Sequence, residues 1–214
     1  MKDLDIVREI YLRGKSFYIH DNDDLSGAIE RNKDYWESDI LDYIKLHYPV
    51  QKSIVDVGAN IGNHSFYFAN YLSYDSIFCF EPIEDNFLLL LMNMTQFPNL
   101  ALLNAAASSK TGKLSMRLDS QNSGSHTISD EGSVEIQALT IDRVVPMEDV
   151  TLLKIDAEGH EPEILDGASD TLYRCRPLIL MEDGDKYCEF LPEEYKLVAS
   201  WEHHRTYMYE WVEW

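Results

Sequence analysis

Apolar and polar residues along this chain follow two rhythms, and the changes of rhythm mark its elements. Short apolar runs between polar or glycine-bearing stretches read as buried strands. Longer segments with apolar residues three and four apart read as helices. From residue 53 onward the two alternate. Strands are predicted over 53–57, 76–80, 101–106, 151–155 and 177–181, and helices over 63–72 and 84–96, the latter stopped by Pro98. A shorter helix follows Gly159, with Pro162 in its first turn, Glu161 and Glu163 beside it and Gly167 near its end. Each of these suits a helix terminus. Between the third and fourth strands the pattern changes. Segments 113–118 and 134–139 read as β around a Ser-, Gly- and Asn-bearing stretch, 119–132, too polar for a core and expected to be a mobile loop.

The ends are less regular. Residues 16–20 read as a short strand broken by the polar cluster 21–24. Trp36, Ile40, Tyr43, Ile44 and His47 recur at helical spacing over 35–47, and Pro49 ends that segment. Two β-like runs, 195–201 and 205–212, close the chain. Tyr207, Tyr209 and Trp211 share one face of the second, where core packing is favoured over an aromatic recognition surface. Repeated βαβ units with a terminal hairpin predict an α/β, doubly wound, mostly parallel sheet with helices on both faces and an antiparallel last strand. With no repeat or dividing linker, the expectation is one domain: a strand/helix appendage over 1–50 packed on a main fold over 51–214.

Composition narrows the partners. The 214 residues carry a formal net charge of −20. A surface this acidic repels phosphate backbones and anionic lipid, which predicts neither nucleic acid nor membrane as a partner. Three cysteines give no disulfide framework, and Cys79, inside an apolar run, is expected in the core. Residues 1–13 hold scattered charges and no apolar signal region, and no apolar stretch is long enough to cross a bilayer. A reducing, cytoplasmic setting is the expectation. Oligomeric state is not encoded in any feature of the sequence.

The richest segment is Ile54-Val55-Asp56-Val57-Gly58-Ala59-Asn60-Ile61-Gly62, an apolar strand running into a glycine turn that opens a helix. Such a turn at the carboxyl edge of a parallel strand makes a nucleotide-sized slot. Asn60 interrupts the G-x-G-x-x-G pattern of dinucleotide sites. Asn63 and His64 stand where a phosphate loop needs Lys and Ser or Thr. No basic residue at the turn would compensate a multiply charged phosphate. Phe80-Glu81-Pro82 then places a carboxylate past the second strand, about twenty residues on, where it can accept hydrogen bonds from both hydroxyls of a ribose. Alone, Glu81 would read as a solvated loop acid; with the glycine turn it indicates an adenosine-type ligand. An NAD-type oxidoreductase and a non-catalytic nucleotide-binding module remain alternatives on these residues alone.

Val55 to Gly62, Phe80-Glu81-Pro82 with Asn86-Phe87, Leu139-Thr140-Ile141-Asp142, Leu153-Lys154-Ile155-Asp156-Ala157-Glu158-Gly159-His160-Glu161, Gly167 and the run 177–182 resemble FkbM-type methyltransferases over roughly residues 50–183. The resemblance implies a class I, Rossmann-like fold, S-adenosyl-L-methionine as cofactor, and O-methylation of a hydroxyl on a sugar, glycan or small hydroxylated metabolite. It also implies that Asp56, Gly58, Ala59, Asn60 and Gly62 border the methionine and ribose, that Glu81 and Pro82 hold the ribose, and that Asn104 and Ala105 lie near the adenine. For Asn104, a side chain satisfied by backbone is an equal account. The first fifty and last thirty residues match poorly, so the acceptor does not carry over.

In this chemistry the cofactor brings its own leaving group, and the protein must bind, align and exclude water. Alignment can supply about 7–11 kcal/mol, against about 10²–10⁴-fold from a general base. Candidate catalytic residues stand at the fourth strand's edge. Lys154, Asp156 and Glu158 share one face of an extended run, with the lysine expected to keep the acids ionised. Asp156 is the first candidate for contact with the reacting end of the cofactor or of the acceptor, and so is counted with the cofactor-binding residues too. His160 is the candidate base, with a helix cap as the equal alternative. His64, after the glycine turn, could face the cofactor, with an exposed helix-surface position slightly favoured; His126 reads as a loop residue able to reach the cleft, and His203-His204 as a turn. Asp156, Glu158 and Glu182 could converge at strand ends, but strand-end carboxylates are common, so no metal is assigned.

Overall fold

The computed structural model describes residues 7–21, 23–119, 122–145 and 149–213. Residues 1–6 of the expected appendage, 22 of the polar break and 120–121 of the expected loop lie outside the described residues.

The described chain opens on an antiparallel hairpin, β1 (Val7–Leu12) and β2 (Lys15–His20), where the sequence suggested only its second strand. Two helices follow, α1 (Asp24–Asn32) and α2 (Ser38–His47). The polar cluster read as a break is the start of α1: Asp23 Oδ2 accepts the Ser26 N–H at 2.8 Å, an N-cap. Helix α2 begins at Ser38 rather than at 35, because Glu37 has a left-handed backbone with φ 57°. Trp36 is therefore off the helix.

The main fold runs β3 (Ser53–Val57), α3 (Asn63–Tyr71), β4 (Ser76–Phe80), α4 (Glu84–Met94) and β5 (Leu100–Leu103). Four strands of a second sheet come next: β6 (Ala106–Ala107), β7 (Gly112–Arg117), β8 (Thr127–Ile128) and β9 (Val134–Leu139). After α5 (Ile141–Val144) come β10 (Val150–Ile155), α6 (Glu161–Asp166), α7 (Ser169–Cys175) and β11 (Leu178–Glu182). The described chain ends with α8 (Gly184–Tyr187), β12 (Tyr195–Trp201) and β13 (Thr206–Trp211).

Seven strands form the central sheet in the order β12-β13-β11-β10-β3-β4-β5. The pairs from β11 to β5 are parallel, and β13 is antiparallel to both its neighbours. This is the expected doubly wound, mostly parallel architecture with an antiparallel terminal hairpin. The chain winds outward from β3 through β4 to β5, then crosses back to β10 on the other side of β3. In open α/β sheets that reversal leaves a crevice beyond the carboxyl ends of the two central strands.

Each face of the sheet has its own apolar core. One packs Ile54, Ile77 and Leu152 against α2, α3, α4 and the hairpin; the other packs Val55, Leu153 and Ile179 against α6 and α7. The appendage shares the first core: Phe17 meets Phe66 with ring centroids 5.1 Å apart, and Tyr35 meets Tyr67 at 5.2 Å. Burying one such ring contributes about 1.5–3 kcal/mol. Tyr207, Tyr209 and Trp211 pack on the second core, and Cys79 is fully buried in the first.

The short helix after Gly159 ends at Gly167 as expected, where a Cβ would lie 2.0 Å from the Ser108 carbonyl oxygen, and a further helix, α7, absent from the predicted elements, follows it. One expectation needs correction: the described part of 119–132 is not a free loop. It contains β8, which pairs with β7 in a second sheet of order β6-β9-β7-β8. The Ser123 carbonyl accepts from Asn60 Nδ2 at 2.9 Å and Asn86 Nδ2 at 3.1 Å, and the Ser123 N–H donates to Asp23 Oδ1 at 2.8 Å. Its polar groups serve neighbouring polar groups instead of solvent.

Candidate cofactor and acceptor cleft

A cleft of about 390 Å³ opens beyond the carboxyl ends of β3, β4 and β10, within the size range of small-ligand sites. Its floor is the turn after β3. Gly58 has φ 72°, and a Cβ there would lie 1.8 Å from the Asp156 carbonyl oxygen, so only glycine lets the ends of β3 and β10 meet. The Gly58 and Ala59 N–H groups donate to the Phe80 carbonyl at 3.1 and 3.0 Å, which ties the turn to the end of β4. Asn60 sits in the left-handed region, φ 51°, where Asn is better tolerated than most residues.

Glu81 stands at the β4 side of this floor. Its Oε2 accepts the Asn60 N–H and its Oε1 the Ile83 N–H, each at 2.9 Å. Each oxygen keeps a lone pair for a ligand hydroxyl. Burial pushes this carboxyl up to about 7, against the backbone donors that favour its charge. Gly58, Ala59, Asn60, Glu81 and Pro82 all line the cleft.

Four residues assigned to the cofactor by resemblance do not reach the cleft wall among the described residues. Asp56 is fully buried, accepting from Ser65 Oγ at 2.5 Å and lying 3.2 Å from Lys154 Nζ. Gly62 faces Leu90 and Met94. Asn104 is exposed and donates to the Glu81 and Pro82 carbonyls at 3.0 and 3.2 Å, bracing the Glu81 turn from behind. Ala105 is buried beside it. These residues lie beneath or behind the floor and do not line the cleft.

Lys154 is corrected in a similar way. Only 3% exposed, its ammonium donates to the Val57 carbonyl at 3.1 Å and the Gly58 carbonyl at 2.9 Å. Burial opposes its charge, but Asp56 and Asp156 outweigh burial and raise its pKa. A permanently charged, fully engaged ammonium positions the turn and is not available as a base. Nor does it keep both acids ionised: burial first, then Asp156, pushes Glu158 up to about 7.

At the far end of the cleft, carboxyl oxygens of Asp156, Glu158 and Glu182 all lie within 4.8 Å of one another. The face shared by Lys154, Asp156 and Glu158 is not that of one strand, since β10 ends at Ile155 and Glu158 has φ 50°. That strained backbone returns Glu158 to the cluster. Burial, then Asp156, raises the Glu182 carboxyl well above its ordinary value. His160 lines the cleft and occupies the N-cap position of α6 without a side-chain cap. Its Nε2 is 3.0 Å from Ser108 Oγ and its Nδ1 3.5 Å from Glu163, and burial lowers its pKa.

The remaining walls come from segments the motifs did not flag. Ala106, Ala107, Met116 and Ile128 of the second sheet give an apolar wall, and Leu25 and Ala28 of α1 add to it. Period-two apolar spacing in the short strands was the available signal. Trp36, Glu37, His204 and Arg205 form the rim at the acidic end, with Trp36 edge-on to His204 at 5.6 Å. His64 is buried and lines the cleft instead of standing on the helix surface, with its Nε2 2.9 Å from Glu37 Oε2. His126 lines the cleft and accepts the Asp119 N–H at 3.0 Å. His203 and His204 form the expected turn, with both Nε2 atoms 3.2 Å from Asp39. No helix among the described residues is long and apolar enough to cross a membrane.

Comparison with known proteins gives the cleft a context. Residues 56–211 match the methyltransferase FkbM domain. Hexuronic acid methyltransferase AglP of Haloferax volcanii is 34% identical over 122 residues, 55% of this chain and 50% of that protein. The chain spans about half the length of this curated relative. Among solved structures, the methyltransferase FkbM of Methylobacillus flagellatus superposes with a TM-score of 0.55 at 17% identity, over 75% of this chain and 44% of that one. The yhhF protein of Escherichia coli gives 0.59 at 9% identity, over 97% and 100%. TYW2 of M. jannaschii, solved in complex with AdoMet, gives 0.52 at 11% identity, over 99% and 89%. These likenesses establish the class I methyltransferase fold. With the family domain covering most of its length, the chain belongs to the FkbM methyltransferase family, a family of S-adenosylmethionine-dependent methyltransferases.

Proposed function

We propose that this chain transfers the methyl group of S-adenosylmethionine to a hydroxyl oxygen of a sugar or small hydroxylated metabolite. The observation that carries this reading is one cleft with two chemically different ends: a ribose-sized hydrogen-bonding site at Glu81 and a carboxyl cluster at Asp156. Similarity to a protein named for methylating a hexuronic acid supports a sugar ring as acceptor. The acidity of the chain supports a small acceptor over nucleic acid.

In this reading Gly58, Ala59, Asn60, Glu81 and Pro82 hold the nucleoside. Asp56 and Lys154 act behind them by fixing the turn. The acceptor oxygen attacks the methyl carbon in line; the O–C bond forms as the S–C bond breaks, and the sulfur keeps the electron pair. The hydroxyl proton passes to the carboxyl cluster, whose Glu158 has a pKa matched to neutral pH. His160 supports the same end through Ser108 and Glu163 instead of taking the proton itself. The test is transfer of labelled methyl from the cofactor into a panel of glycans and hydroxylated metabolites. Label in an ether-linked methyl on a sugar is the expected result; label only on nitrogen or carbon acceptors would overturn O-methylation.

A further inference from the structure

The acceptor end of the cleft has an unbalanced charge. Glu37, Asp156, Glu158 and Glu182 line it together. Two cations also line the cleft, and both are spoken for. Lys154 is held by Asp56 and two backbone carbonyls. Arg205 donates Nε and Nη2 to the two oxygens of Asp183, each at 2.6 Å, and its Nη2 is 3.6 Å from Glu182. Asp183 engages that guanidinium through both oxygens and is shared with Lys186, whose Nζ donates to Oδ2 at 2.6 Å. Trp36, just over a third exposed beside His204, offers a flat apolar face at the same end.

We propose that the acceptor is a sugar with no negative charge near its reacting hydroxyl, and that an ammonium group on that sugar improves it as a substrate. The inference deepens the O-methylation reading above and rests on it. A hexuronate would bring its carboxylate among four crowded carboxyl groups, where the two cations lining the cleft among the described residues are already bonded to other partners, and it would hold Glu158 and Glu182 in their protonated forms instead of meeting a counter-charge. A neutral hexose would lay its apolar ring face on Trp36 and direct its hydroxyls at the carboxylates as acceptors. A hexosamine would do the same and add a charge-assisted hydrogen bond. The raised proton affinities of Glu158 and Glu182 have the same origin, buried acids crowded together.

The experiment compares the methyl glycosides of glucosamine, glucose and glucuronic acid as acceptors at low salt, with labelled S-adenosylmethionine and the purified chain. We expect kcat/KM to fall at least tenfold from the glucosaminide to the glucuronide, with the glucoside between. The span should shrink in 0.5 M salt and in the Glu158→Gln/Glu182→Gln variant, whatever that variant's absolute rate. A glucuronide used as well as or better than the glucosaminide overturns the charge argument and leaves sugar methylation standing. A span untouched by both salt and the double substitution overturns its electrostatic origin. Transfer to none of the three, with cofactor binding intact, overturns the sugar reading and this inference with it.

Discussion

Lys154 and Asp56 are register partners on neighbouring parallel strands, with Nζ 3.2 Å from Oδ1 and both side chains withdrawn from solvent. The same ammonium holds the carbonyls of Val57 and Gly58. A buried ion pair therefore fixes the conformation of the turn that forms the cleft floor. Breaking such a pair on one side costs about 3–5 kcal/mol, because the remaining charge is stranded. Lys154→Met should lower unfolding free energy by that order in urea titrations. Unchanged stability with abolished turnover would instead give Lys154 a chemical role.

Gly58→Ala should destabilise the fold by more than about 1 kcal/mol, since it adds strain at a positive φ to a collision with the Asp156 carbonyl. It should also abolish cofactor binding by calorimetry. Gly112→Ala, with open space around its Cβ, is the matched control. Equal melting temperatures for the two variants would contradict the close approach of β3 and β10.

Glu81→Ala should weaken S-adenosylmethionine binding by at least about 10²-fold, the loss of two hydrogen bonds to a charged acceptor. Glu84→Ala, at an exposed position in the first turn of α4, should leave affinity unchanged. Titrations that do not separate the two variants would remove Glu81 from the ribose site.

The pH dependence of cofactor-free stability follows from Glu81. Its folded pKa of about 7 lies above the ordinary 4.5. An acid raised on folding contributes stability that is fully present below the unfolded pKa and is lost as pH climbs to the folded one. Between pH 4.5 and pH 7.5 the wild type should lose about 3 kcal/mol relative to Glu81→Gln, which does not titrate. Denaturation curves whose difference stays flat over that window would show Glu81 ionised throughout.

Turnover should distinguish the carboxyl cluster from His160 as the proton acceptor. Asp156→Ala should lower kcat by about 10²–10⁴-fold with the fold preserved, and His160→Ala by less than tenfold. The opposite order would move the base to His160 and make the carboxyl cluster a positioning device.

The central sheet was legible because its strands are short, apolar and regularly separated, and the reversal at β3 follows from βαβ winding alone. The Gly58 turn and Glu81 were legible for the same reason: both lie at fixed offsets from strands. Contacts between distant segments were not. Asp56 reads as a cofactor ligand at the end of an apolar strand, and nothing local reveals that Lys154, on another strand, draws it inward. Polarity misled at Ser123, whose backbone groups pair with Asn60, Asn86 and Asp23 across the fold. His64 misled likewise, its partner Glu37 being set by an unusual backbone angle.

The walls of the cleft are assembled from pieces remote in sequence: Trp36 and Glu37 before the first central strand, His126 in the loop just before β8, and His204 and Arg205 before the last strand. If the acceptor is bound there as proposed, no single stretch of the gene encodes its choice. Grafting one loop from another enzyme would import a third of a recognition surface and set it against two foreign thirds. Retargeting by recombination would need crossovers at both extremities and in the middle, keeping the cofactor-facing strands as a common chassis.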